Sequence, residues 1–72
     1  MDNFRFKFVT KDGSLIQNRP EDVDYYVDRW GKVNHEFLEQ VLNRDAREKG
    51  VRVVYYKFDK TTGVEAVVEW LK

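Results

Sequence analysis

The sequence contains no cysteine, one histidine (His35), one serine (Ser14), one proline (Pro20) and one methionine. The lack of cysteine excludes disulfides. One imidazole without thiolates cannot fill the tetrahedral shell of a zinc site. Catalysis by a nucleophile, a base and an orienting group together has almost nothing to draw on. There is no Gly-rich phosphate loop, Walker motif or dinucleotide fingerprint. The sequence therefore predicts a protein that is not an enzyme and holds no metal or cofactor. No apolar run approaches the roughly 20 residues that span a bilayer. The leading Met1-Asp2-Asn3-Phe4-Arg5-Phe6 has no apolar h-region, so no signal peptide is expected. No Asn-x-Ser/Thr site is present. These features predict a cytoplasmic protein without a membrane partner. Excess charge of one sign is missing too, with 13 Lys and Arg against 13 Asp and Glu. That balance argues against a general electrostatic grip on nucleic acid.

What the chain does have is rings. Aromatic residues make up 15% of its 72 residues: five Phe, four Tyr and two Trp. A chain this short forms one domain, 1–72, and small domains need a dense core, staples or self-association. With disulfides and metals set aside, the rings supply the core. At least one of Trp30 and Trp70 is expected inside it. Trp is also enriched where proteins touch, which makes either ring a candidate contact residue. Short, cysteine-free and densely charged, the chain resembles small phage or prophage accessory proteins in composition, a resemblance that attaches to no particular residues.

Phe4-Arg5-Phe6-Lys7-Phe8 alternates ring and cation, the period-two pattern of a strand with one apolar and one basic face. Asp12-Gly13 is a hairpin signal, since glycine accepts positive φ. The return strand, Ser14 to Asn18, is short, places Leu15 and Ile16 on opposite faces, and belongs at a sheet edge. Pro20 opens a predicted helix with Glu21, Asp22 and Asp24 in its first turn. Val23, Tyr26, Val27 and Trp30 form its apolar stripe, and Gly31 ends it. A second helix follows, capped by Asn34 and closed by Gly50. Phe37, Leu38, Val41, Leu42 and Ala46 make its buried stripe. Glu36, Glu39, Arg44, Asp45, Arg47 and Glu48 fall on its outer face.

Val51 to Phe58, nearly continuous in apolar and β-branched residues, reads as a central strand. Residues 64–71 read two ways. Val64, Val67, Val68 and Leu71 fit a helical stripe, whereas Val64, Ala66, Val68 and Trp70 alternate with Glu65 and Glu69. The three valines favour a strand, joined to its predecessor by a loop over Asp59–Gly63. The expected architecture is an α+β two-layer sandwich of order ββααββ, with a four-stranded antiparallel sheet and both helices on one face.

Turning Phe4, Phe6 and Phe8 toward the helices, together with Val54, Tyr56 and Phe58, leaves the opposite face to Arg5, Lys7, Val53, Tyr55, Lys57, Glu65, Val67 and Glu69. That face exposes more apolar area than a lone monomer needs. The predicted function is a non-catalytic binding module acting by protein–protein contact, with a protein partner or a second copy in a homodimer. The expected contact residues are Arg5, Lys7, Val53, Tyr55, Lys57 and Val67. The alternative is a sheet-based nucleic-acid binder using Arg5, Lys7, Lys57 and Tyr55. Glu65 and Glu69 stand against it. Two further clusters are read as ordinary surface. His35 with Glu36 and Glu39 fits a solvated first helical turn. Glu21, Asp22, Asp24 and Asp28 fit a helix N-terminus, with a second role as an acidic contact patch.

Overall fold

A computed structural model describes residues 4–71. Met1–Asn3, used above in reading the N-terminus, and Lys72 lie outside the described residues. The elements are β1 (Arg5–Thr10), β2 (Leu15–Pro20), a 3-10 turn (Val23–Tyr25), α1 (His35–Lys49), β3 (Val51–Asp59) and β4 (Gly63–Trp70). The class is α+β, with one four-stranded sheet of order β2-β1-β4-β3. Residues 64–71 resolve as strand over their length to Trp70. Among the described residues, no helix is long and apolar enough to cross a membrane.

Three expectations about the architecture are corrected. First, the sheet is mixed. Each hairpin is antiparallel, but β1 pairs with β4 in parallel, Arg5 opposite Gly63 through Thr10 opposite Val68. The cause lies in the inner faces of the two strands. Phe6 sits beside Val64 and Phe8 beside Ala66, large against small, and all four are at most 2% exposed. The two inner faces that are buried throughout pair at the centre, and β2 and β3, whose inner residues are mostly only half-buried, take the edges.

Second, β3 is an edge strand. Its run of apolar residues arises from a β-bulge. Val53 pairs with Val68 and Tyr55 with Val67, so Val54 has no residue opposite it. One extra residue shifts the alternation by one position. Val51 and Val53 face the core before the bulge, and Tyr56 and Phe58 face it after. Val54, expected inside, is exposed.

Third, the described residues form one α-helix where two helices were expected. Residues 20–31 are rich in aspartate, whose carboxylates compete for backbone N–H groups. Asp22 accepts from the Asp24 N–H at 2.9 Å. Asp28 accepts from the N–H groups of Trp30 and Lys32, each at 2.9 Å. The chain makes a 3-10 turn and then a tight reversal, closed by a bridge between Val27 and Val33. Pro20 ends β2 opposite Arg5, on an edge strand where its missing N–H breaks no ladder bond. Val23, Tyr26 and Val27 of the expected stripe still reach the core. Trp30 does not.

The second expected helix is α1. The Asn34 side chain accepts from the Phe37 N–H at 3.1 Å. Gly50 closes the helix in the left-handed conformation, φ 75°. Leu38, Val41, Leu42 and Ala46 pack on Phe4, Phe6, Phe8, Val64, Ala66 and Val68. Phe37 lies at the rim, stacked on Tyr26 with ring centres 5.3 Å apart. Neither tryptophan enters the core: Trp30 is 80% and Trp70 61% exposed. Tyr26, Phe4 and the two Phe rings of β1 fill the volume instead.

Asp45, expected on the outer face of α1, is 3% exposed. It lies over β2, whose inner face is polar. Arg19 Nε donates to Asp45 Oδ2 at 2.8 Å, and Gln17 Nε2 donates to the same oxygen at 3.2 Å. Arg19 Nη2 stands 2.7 Å from that oxygen as an ionic contact without hydrogen-bond geometry. Arg19 Nη1 donates to Glu21 Oε2 at 3.0 Å, and the Tyr26 hydroxyl donates there at 2.7 Å. The guanidinium also sits 4.9 Å over the Phe6 ring. The network holds β2, the 3-10 segment and α1 together where apolar contacts are few.

Two predictions follow from these contacts. A Cβ at Gly63 would come within 2.1 Å of the Arg5 carbonyl oxygen, and its φ is +114°. Gly63→Ala should therefore cost roughly 4 kcal/mol and come close to unfolding the protein. Gly13→Ala, with open space around it, should cost about 1 kcal/mol. Urea denaturation of both variants tests the contrast.

The second concerns pH. Burial alone would raise Glu21, but the Tyr26 and Arg19 hydrogen bonds outweigh it and hold the carboxyl below its ordinary value. Its contribution is present above the unfolded pKa and is lost as pH falls through the lowered folded value. Burial, then the hydrogen bond to Glu21, raises the Tyr26 hydroxyl. Its contribution is present below the ordinary tyrosine value and is lost as pH rises beyond about 10. Urea midpoints should fall on both the acid and the alkaline side, and Tyr26→Phe should make the alkaline limb shallower.

Candidate interaction surface

The face of the sheet turned away from α1 is built by alternation. Arg5, Lys7 and Val9 alternate with the buried rings of Phe4, Phe6 and Phe8. Glu65, Val67 and Glu69 lie between Val64, Ala66 and Val68 of β4. Register then sets these residues in rows across the strands. One row runs Asn18, Lys7, Glu65, Lys57, and the next runs Leu15, Val9, Val67, Tyr55. In a third, Glu69 lies between Lys11 and Arg52. Lys11 Nζ stands 3.9 Å from Glu69 Oε1, and Arg52 is hydrogen-bonded to Glu69. An apolar row is thus framed by charged rows of alternating sign. Leu15 and Tyr55 at its ends are each 54% exposed.

Of the expected contact residues, Arg5, Lys7, Tyr55, Lys57 and Val67 share this face. Val53 does not, because the bulge turns it onto the core. Arg5 is tied laterally, its Nε donating to Asn18 Oδ1 at 2.7 Å. Val9 and Leu15 complete the apolar row and were missed as contact residues. Val9 was legible as the continuation of the Arg5, Lys7 alternation. Leu15 was legible only as the outward partner of Ile16.

The two clusters read as ordinary surface take definite shapes. The Tyr56 hydroxyl donates to Glu39 Oε2 at 2.9 Å, and His35 Nδ1 lies 3.0 Å from the same hydroxyl. The single hydroxyl proton is engaged by Glu39, so Tyr56 Oη accepts from His35, and neutral His35 carries its proton on Nδ1. Burial first, and Glu39 second, push Tyr56 up to about 12. Glu36 takes no part in this chain of bonds. Among the described residues, no group of three or more His, Asp or Glu is placed to hold a metal ion.

The acidic cluster is dispersed by local structure. Glu21 joins the Arg19 network, and Asp22 and Asp28 cap turns. Trp30 stands at the tip of the Asp28–Lys32 reversal, with the Arg29 guanidinium 5.1 Å over its ring.

Depressions of about 520 Å³, beneath residues 24–35, and 360 Å³, between α1 and the β3 bulge, open broadly to solvent. They lack the enclosing walls of a small-molecule pocket.

Comparison with protein-family models, curated proteins and solved structures finds no match for this chain.

The imidazole geometry can be checked directly. Nitrogen-15 shifts of neutral His35 should report the Nδ1–H tautomer in the native protein. Tyr56→Phe, which removes the acceptor, should return it to the Nε2–H form that free imidazole prefers. An Nε2–H signal in the native protein would refute the assigned bond.

Proposed function

We propose that this protein is a small, cytoplasmic, non-catalytic binding module that works by protein–protein contact through the open face of its sheet. The observation that carries this reading is the row Leu15, Val9, Val67, Tyr55. Antiparallel sheets with one solvated face ordinarily alternate apolar-in and polar-out. Here a continuous apolar row crosses the solvated face from edge to edge. Tyr55, at its end, offers a large ring with few rotatable bonds, the kind of side chain that dominates contact energetics. The flanking charges, alternating in sign, supply orientation. The same alternation disfavours the nucleic-acid reading. Glu65 stands between Lys7 and Lys57, and Glu69 between Lys11 and Arg52, so a phosphate backbone along either charged row meets a carboxylate.

The test places a photo-crosslinking phenylalanine analogue at Tyr55, and separately at Arg47 on the exposed side of α1. Irradiation in cells that make the protein should give protein adducts from position 55 only, and Val67→Lys should abolish them. Unmodified protein in excess should compete them away. Absence of any protein adduct at 55, including with a second copy, refutes the reading. Titration against single- and double-stranded oligonucleotides at low salt should show no binding.

A further inference from the structure

We propose that the occupant of the open face is a second copy of this chain, stacked face to face about a two-fold axis parallel to the strands. This rests on the reading of the face as a contact surface and adds the partner and its orientation. The argument is charge complementarity set by register. β1 and β4 lie side by side, parallel, with Lys7 level with Glu65 and Val9 level with Val67. Rotation about an axis between and along these strands keeps every residue at its height and exchanges β1 with β4. Lys7 then faces Glu65 of the second copy, Val9 faces Val67, and Leu15 faces Tyr55. Lys11, beside Glu69 in its own chain, faces Glu69 of the other. Each contact occurs twice, as a two-fold interface requires.

The competing in-plane axis, along the apolar row, gives the opposite result. It sets Lys7 over Lys11, Glu65 over Glu69 and Lys57 over Arg52, like charge on like at every position. The charge pattern thus selects one of the two arrangements that bury the apolar row. The selected one leaves the strands of the two sheets nearly aligned, the ordinary geometry of stacked sheets. Four strands about 4.8 Å apart give a face roughly 20 Å wide. Along the six residues of β1, at about 3.3 Å each, its area is roughly 400 Å², about half the roughly 800 Å² per partner of a standard interface. A face of that size belongs with the weak, transient encounters.

Sedimentation equilibrium from about 10 µM to 1 mM should show concentration-dependent dimerisation. Lys7→Glu with Lys11→Glu should weaken it at least tenfold, as should Glu65→Lys with Glu69→Lys in a second chain. An equimolar mixture of the two variants should form a heterodimer, because every facing pair is again opposite in sign. All four positions are on the surface, and circular dichroism confirms that the variants fold. A control mixture carries the same net charges on α1, Arg47→Glu with Lys49→Glu against Glu36→Lys with Glu48→Lys. It should show no preference for the heterodimer. A native protein that stays monomeric at 1 mM overturns the proposal, as does control pairing equal to that of the sheet variants. In either case photo-adducts from Tyr55 to a different protein would leave the contact-surface reading standing. Failure of those adducts as well would remove both.

Discussion

The parallel contact between β1 and β4 is the constraint on which the rest of the molecule depends. It sets Phe6 and Phe8 beside Val64 and Ala66 and creates the platform onto which Leu38, Val41, Leu42 and Ala46 of α1 settle. It also fixes the outer rows, because residues level on the inner face force their neighbours to be level on the outer one. The close approach of Gly63 to the Arg5 backbone sets the start of that register. The core and the proposed contact surface are two sides of one alignment.

A second device holds the side of the sheet where apolar contacts run out. β2 turns Gln17 and Arg19 inward, and α1 answers with Asp45. A buried carboxylate with a guanidinium and an amide is at best neutral against a well-packed apolar pair, yet breaking it is costly. Its geometry ties three segments to one another. In a domain without a second helix, the network anchors residues 21–33 while the Tyr26 ring completes the core.

Much of this was legible in the sequence because it is local. The ring–cation alternation of residues 4–8, the Asp12-Gly13 turn, the Asn34 and Gly50 caps and the short edge strand β2 each need only a few neighbouring residues to declare themselves. The features that escaped depend on distant partners or on local competition. Parallel pairing of β1 with β4 has no signature in either strand alone. The β3 bulge looks like uninterrupted apolarity until Val53 and Tyr55 are set against consecutive residues of β4. Asp45 reads as solvated until Arg19, far away in sequence, is brought beneath it. The missing helix is a different case: the apolar spacing of residues 23–30 is helical, but Asp22 and Asp28 draw the backbone N–H groups into turns. On the outer face, the alternation of β1 and β4 placed Arg5, Lys7 and Val67 correctly. Val53 failed for the same reason as the bulge itself.

The placement of β1 and β4 also governs how the molecule answers mechanical force. The first and last strands of the described chain lie side by side and point the same way, so their outer ends emerge at opposite poles. Tension applied through the two termini runs along the strands, and the ladder from Arg5–Gly63 to Thr10–Val68 is loaded in shear, all its bonds sharing the load. An antiparallel arrangement of the same strands would peel open one bond at a time. Stretched from its ends, this small domain is built to resist as a clasp rather than to part as a zip.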